Sequence, residues 1–252
     1  MFEPLQTYYQ TPLTNYSNLN YLGELYMGSD QQKFMVVWDT GSGSLLLESS
    51  LCGDSCSGDV FQIDQSTTFS YKSPEEYDTT NYLDGTSLYG RWAIDRACPV
   101  SGEVNACSNS YPFVAMINAS GLGSHEDGIL GMWSGNKTGY DQSDMIMTGM
   151  GTDSDIAEKV FSYYLTGLSG QSYLDFGTPN SSAYTESIIY IDILSENYWW
   201  SSDLTGFRWK GESSAYAISS GSFALTDTGS SCIVGPSSEA DVIARNILSE
   251  IE

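Results

Sequence analysis

The chain has 252 residues, 40% of them hydrophobic and 13% aromatic, so it has ample material for one large or two medium domains and is not a disordered protein. Only 9 Lys and Arg face 32 Asp and Glu, and the formal net charge of −23 excludes nucleic acid as a partner, because phosphate binding needs clustered basic residues. A chain this acidic repels itself at neutral pH and is relieved as carboxylates protonate, which suits work in acid.

The opening "MFEPLQTYYQTPLTNY" has no basic region and no continuous apolar segment, so it is not expected to be a signal peptide. Strand signals then dominate. "YLGELYMG", "QKFMVVWD", "YGRWAID", "YPFVAMIN", "FSYYLTG" and "SIIYIDI" are short aromatic or β-branched runs bounded by Gly, Asn, Ser and Asp. Helices are few. "SDIAEKVFSYY" allows one turn or two from Asp153 or Ser154, and "SSEADVIARNILSEIE" aligns Val242, Ile243, Ile247, Leu248 and Ile251 on one face with Ser238 as N-cap. The pattern predicts a mainly β protein. No apolar run approaches the length of a membrane-spanning helix.

The 5 cysteines are Cys52, Cys56, Cys98, Cys107 and Cys232. Cys52 with Cys56 and Cys98 with Cys107 are close enough to close small polar loops, which predicts two local disulfides, a leftover Cys232 and an oxidising compartment. The alternative is a set of reduced cysteines. Neither pair has zinc-finger spacing and His125, read as a surface or turn residue, has no partner for a metal site, so no metal and no cofactor are expected. Sequons at Asn15, Asn118, Asn136 and Asn180 agree with secretion and also arise by chance in Ser- and Asn-rich chains.

One arrangement occurs twice. "FMVVWDTGSGSLLLE" and "FALTDTGSSCIVGP" each place an apolar run before Asp-Thr-Gly-Ser, around Asp39 and Asp227. A carboxylate at the end of a buried strand costs several kcal/mol unless something stabilises it. Gly41 and Gly229 let the chain turn sharply and bring backbone N–H groups to the preceding carboxylate, and the Ser42 and Ser230 hydroxyls add donors. Thr40 and Thr228 can bond across to the opposite loop. Two lobes that meet at these loops would bring Asp39 and Asp227 within reach of one water, where the pair shares a proton. The ionised member takes a proton from the water and the protonated one donates to the carbonyl oxygen, which is peptide hydrolysis without a metal or covalent intermediate. A single such tetrapeptide reads as a β-turn; the matched pair does not.

The chain resembles the pepsin-like aspartic peptidases over residues 12 to the end. "PLTNYSNLNYLGELYMGSDQQKFMVVWDTGS" is similar to their first strands and first active-site loop, and "LCGDSC" to a small disulfide loop, which implies Cys52–Cys56. "YLDGTSLYGRWAID" resembles the flap hairpin, implying Tyr82 as the tyrosine that covers substrate and Asp84-Gly85 as its turn. "EDGILGM" matches the strand that threads behind the first loop, through Ile129, Leu130 and Gly131. "FSYYL" and the stretch after Asp227 match the interlobe segment and the second loop with its helix. The resemblance implies a bilobal acid-protease fold of two β-barrel-like lobes with a cleft between them, an N-terminal lobe over 1–175 and a partial C-terminal lobe over 176–252. It implies an aspartic endopeptidase acting on polypeptides at acidic pH, as a monomer, secreted or in a lysosome- or vacuole-like compartment.

Two positions depart from the family. Leu46 stands where a tryptophan usually bonds the flap tyrosine, which predicts a looser flap and a more aliphatic pocket. Only a helix follows the second loop, so the second lobe is expected to be incomplete, in a partial sequence of a longer enzyme or in a degenerate copy. A non-catalytic peptide or protein binder is therefore the alternative reading. An aromatic-rich carbohydrate-binding module is a third, which the two Asp-Thr-Gly-Ser loops disfavour. The Trp199–Trp200 pair reads as core packing rather than a subsite wall.

Overall fold

The computed structural model describes residues 8–134, 145–153, 156, 158–194, 199–207, 216–217 and 223–249. Its strands in chain order are β1 (Tyr8–Tyr16), β2 (Asn20–Met27), β3 (Gln32–Asp39), β4 (Leu45–Leu47), β5 (Ser70–Tyr71), β6 (Tyr77–Asn81), β7 (Ser87–Cys98), β8 (Ser108–Ser120) and β9 (Gly128–Gly131). Helix α1 (Ile146–Asp153) leads to β10 (Phe161–Tyr164) and β11 (Ser172–Gly177). Beyond these lie β12 (Ser201–Asp203), β13 (Gly206–Phe207), β14 (Tyr216–Ala217), β15 (Phe223–Leu225) and helix α2 (Ser237–Ser249). The protein is mainly β.

Eleven strands form one sheet in the order β10-β11-β1-β2-β3-β9-β4-β8-β7-β5, with β6 paired to β7; β12–β15 and β13–β14 are small separate pairs. Alternation sets the inner face of β3, where Phe34, Val36 and Trp38 are buried. Trp38 meets Phe176 edge-on at 5.3 Å, and Phe61 meets Phe113 at 5.8 Å. Each such ring contributes about 1.5–3 kcal/mol by leaving water. Ile146, Met147 and Met150 of α1 close the core against β8. Gly149 permits that approach, since a Cβ there would stand 2.3 Å from Ser108 Oγ.

Strand β9 threads between β3 and β4, parallel to β3 (Asp39 opposite Gly131) and antiparallel to β4 (Leu46 opposite Ile129). The close passage needs glycine at both ends. A Cβ on Gly131 would lie 2.4 Å from Gly43 N, and one on Gly128 would lie 2.4 Å from Leu46 O. Behind this crossing, Glu48 and Asp127 are buried side by side. The Ser57 and Gly58 N–H groups donate to Glu48 at 3.2 and 2.7 Å, and the Asp59 and Met35 N–H groups to Asp127 at 2.7 Å each. Burial holds both carboxyls above their ordinary range, with these N–H bonds opposing it.

Disulfides join Cys52 to Cys56 and Cys98 to Cys107, and Cys232 is free and exposed. Three expectations are corrected. "SIIYIDI" is not in a strand; Ile189, Tyr190 and Ile191 are exposed and residues 187–193 have no ladder partner among the described residues. Of the stretch expected to hold a helix from Asp153 or Ser154, Phe161–Tyr164 is instead strand β10, paired with β11, so tertiary pairing overrides local propensity there. Residues 154, 155 and 157 lie outside the described residues. Ser238 is not the N-cap of α2 but sits in its first turn, donating to the Glu239 carboxylate. Val242 and Ile243 are half-buried and Leu248 is exposed, while the Ile247 side chain and Ile251 lie outside what is described.

Candidate active site

Strand β3 ends on Asp39, and β15 ends at Leu225, two residues before Asp227. Each acid is held by its own turn in the same way. Gly41 N–H donates to Asp39 Oδ1 at 2.8 Å and Ser42 Oγ to Asp39 Oδ2 at 2.5 Å. Gly229 N–H donates to Asp227 Oδ1 at 2.9 Å and Ser230 Oγ to Asp227 Oδ2 at 2.8 Å. Charge-assisted bonds of this kind are what allow a buried carboxylate to stay ionised.

The loops also hold each other. Thr40 N–H donates to Thr228 Oγ1 at 3.0 Å, and Thr228 N–H donates to Thr40 Oγ1 at 2.9 Å. The two hydroxyls donate onward to main-chain carbonyls of the opposite strand, Thr40 Oγ1 to Thr226 O at 2.8 Å and Thr228 Oγ1 to Trp38 O at 2.6 Å. Every polar atom of both threonine side chains is therefore used across the junction.

This clasp sets the carboxylates against each other. A Cβ on Gly41 would meet the Asp227 carboxylate at 2.6 Å, and one on Gly229 would meet Asp39 Oδ1 at 2.4 Å and Asp227 Oδ1 at 3.3 Å. Asp39 is 5% exposed, and its carboxyl is pushed from the ordinary 3.8 up to about 6. Burial is the largest cause; the hydrogen bond and the charge of Asp227 add to it, against the bonds from Ser42 and Gly41.

Above the dyad, β6 and β7 form a hairpin whose turn carries Tyr82, Asp84 and Gly85. Tyr82 N–H donates to Thr86 O at 2.8 Å and Gly85 N–H to Tyr82 O at 3.1 Å, with Gly85 at φ +95°. Asp84 Oδ1 accepts from Thr86 N–H at 2.8 Å. The Tyr82 ring packs on the cluster of Leu46, Leu88, Trp92 and Ile129. Its hydroxyl is buried near Ser42, whose Oγ donates to Asp39, and makes no well-formed hydrogen bond. Burial, then the Asp39 charge, push this phenol upward.

Three aromatic residues support the site from behind. Trp199 Nε1 donates to Gly41 O at 3.2 Å and Trp200 Nε1 to Met132 O at 2.6 Å, so the pair packs under the first loop through both rings and indole donors. Tyr163, which the sequence does not single out, is half-buried and donates from Oη to Trp38 O at 3.0 Å, the same carbonyl that accepts from Thr228. Its signal in the sequence was only a tyrosine pair in a strand. His125 is exposed and stacks on Tyr16 at 4.8 Å, away from the dyad. Among the described residues no group of His, Cys, Asp and Glu is arranged to hold a metal ion.

A model of the eukaryotic aspartyl protease family matches residues 20–251. The chain is 30% identical over 246 residues to vacuolar protease A of Neurospora crassa, covering 94% of this chain and 58% of that protein. It is 30% identical over 253 residues to embryonic pepsinogen of Gallus gallus, covering 96% of this chain and 62% of that protein. Against chymosin of Bos taurus it is 28% identical over 236 residues, covering 90% and 58%. The chain thus spans about 60% of the length of these relatives.

Proposed function

The chain belongs to the family of eukaryotic aspartyl proteases, and from that premise we propose that it is an aspartic endopeptidase whose catalytic pair is Asp39 and Asp227. The observation that carries the reading is the reciprocal Thr40–Thr228 clasp, which leaves each carboxylate facing the other loop's glycine. Two carboxylates that close share one proton. Asp39 is buried and Asp227 is half-exposed at the same junction. The ionised member takes a proton from a bound water as the water oxygen attacks the peptide carbonyl, while the protonated member gives its proton to the carbonyl oxygen. The tetrahedral diol then collapses as a proton passes to the departing amide nitrogen, and the C–N bond breaks. Thr40, Gly41, Ser42, Thr228, Gly229 and Ser230 hold the carboxylates in place. Tyr82, carried on the Asp84-Gly85 turn, closes over substrate and excludes water.

The raised carboxyl of Asp39 supports work in acid, and the two disulfides support an oxidising, secreted or vacuole-like compartment. No described helix is long and apolar enough to cross a membrane. The test is cleavage of a denatured protein between about pH 3 and 7, with Asp39→Asn and Asp227→Asn compared with the parent. Cleavage unchanged in either variant rejects the dyad. A second reading, a peptide binder without turnover, draws on the exposed Ile189, Tyr190, Ile191, Ile233 and Val234. Saturable peptide binding with no cleavage by a folded chain would select it.

A further inference from the structure

We propose that Asn118 is the acceptor of an N-linked glycan and that the first sugar lies on the Tyr77–Tyr89 ring pair beside it. The proposal rests on the reading above that the chain matures in an oxidising, secretory compartment. Sequons at Asn15, Asn118 and Asn180 fall within the described residues; the one at Asn136 lies outside them. A glycan replaces one N–H of the side-chain amide with a bulky polar group, so the folded protein tolerates it only where the amide is exposed and its nitrogen unused.

Asn15 fails on both counts. It is half-buried, its Nδ2 donates to Asn18 Oδ1, Tyr21 Oη and Thr166 O at 2.8, 3.2 and 2.9 Å, and its Oδ1 accepts from Asn18 N–H at 2.7 Å. Asn180 is half-buried too, and its Oδ1 holds the Ser182 N–H and hydroxyl at 3.0 and 2.8 Å in a short turn. Asn118 is exposed, and its side chain has no partner among the described residues.

A bulge in the ladder puts it there. Tyr89 pairs with Asn118 but Gly90 pairs with Met116, so Ile117 is the extra residue on β8. Residues 111–116 are all buried; past the bulge Asn118 and Ser120 are exposed while Ile117 and Ala119 are half-buried. The asparagine and the hydroxyl of the sequon therefore share one solvent face.

The neighbour across the strand makes this site unlike the others. Directly paired residues point to the same face with Cβ atoms about 4.5–5.5 Å apart, which sets the Asn118 amide beside the Tyr89 ring. Tyr89 stacks on Tyr77 of β6, centroids 5.8 Å apart and planes within 10°, and the two are 39% and 46% exposed. They form an aromatic shelf of the kind that an N-acetylhexosamine covers with its C–H face, removing apolar surface from water on both sides. In the transfer, Asn118 Nδ2 bonds to C1 of a lipid-pyrophosphate-linked oligosaccharide. The C1–O bond breaks, the lipid pyrophosphate leaves and one amide proton goes to solvent. The sugar then tethers β8 to the outer face of the β6–β7 hairpin, the element that carries Tyr82.

The test is to express the 252-residue chain behind an added secretion leader in a eukaryotic host and map glycans by amidase release in 18O-water. The expected result is 18O-labelled Asp at position 118 in most of the secreted protein, abolished by Asn118→Gln and by Ser120→Ala. An unmodified Asn118 in secreted, disulfide-bonded protein overturns the proposal. Because the leader supplies the compartment, that failure counts against the site and not against the compartment reading, which is tested by locating the chain in its own cell. Deglycosylation should lower the melting temperature by about 2–4 °C in the parent and not in Tyr89→Ala. An equal drop in Tyr89→Ala overturns the ring-stacking half.

Discussion

Thr40 and Thr228 each receive the other's backbone N–H, at 3.0 and 2.9 Å, and each passes its own hydroxyl proton to a carbonyl on the opposite strand. Four bonds thus cross the junction where the two acids meet. Removing the Thr228 hydroxyl leaves the Thr40 N–H without its acceptor, at about 1–3 kcal/mol where water cannot reach it, while the Trp38 carbonyl keeps the Tyr163 hydroxyl. Thr228→Val should therefore cost about 1–3 kcal/mol in denaturant unfolding and lower kcat on the order of 100-fold through misplacement of the dyad. Thr228→Ser keeps the hydroxyl and should stay within about 1 kcal/mol of the parent. Equal losses in both variants would show that the methyl group, not the clasp, matters.

Tyr163 reaches the same junction from β10, and its hydroxyl shares the Trp38 carbonyl with Thr228. Tyr163→Phe leaves the ring and one of the two donors in place. The expected cost is about 1 kcal/mol of stability. Because Trp38 precedes Asp39, the expected kinetic effect is a several-fold fall in kcat with KM unchanged. A fall in stability with kcat untouched would confine Tyr163 to packing.

The raised carboxyl of Asp39 fixes the sign of one pH effect. A group that holds its proton more tightly folded than unfolded gives full stability below its unfolded value, near 3.8, and loses it as pH rises through about 6. That interval corresponds to about 3 kcal/mol lost between acid and neutral pH. Asp39→Asn should flatten the curve in this window when unfolding free energy is measured from pH 3.5 to 7. A residual slope of the same sign is expected from Glu48 and Asp127, which burial also raises. In the parent, cleavage should fall above about pH 6 as the shared proton is lost. A slope identical in parent and Asp39→Asn would place the linked proton elsewhere.

Much of this site was legible because its chemistry is local. Gly41, Ser42, Gly229 and Ser230 act on the acid two or three residues before them, and both disulfides close short loops. What was not legible is set by distant partners. β1 is obscured by Pro12, which the ladder tolerates where β1 has one neighbour, Tyr173, before pairing with β2 begins at Leu13. The "SIIYIDI" run has the composition of a strand, yet no described strand pairs with it. Tyr163 bonds a carbonyl 125 residues away, which no spacing announces.

Leu46 decides the last prediction. It is 1% exposed in the cluster on which Tyr82 packs, and an aliphatic side chain offers the tyrosine hydroxyl nothing to bond. Ser42 lies beside it and donates to Asp39, and no well-formed bond joins the Ser42 Oγ to the tyrosine hydroxyl. A buried hydroxyl without a partner contributes nothing to stability and can cost about 1–3 kcal/mol. Tyr82→Phe should therefore be neutral or stabilising by up to about 1 kcal/mol, whereas Tyr82→Ala should lose about 2 kcal/mol of packing. Leu46→Trp supplies an indole donor but overpacks the site, at about 1–3 kcal/mol. Thermal unfolding of the three variants separates these effects. A loss above about 1 kcal/mol in Tyr82→Phe would mean that the tyrosine hydroxyl donates to Ser42 Oγ in solution.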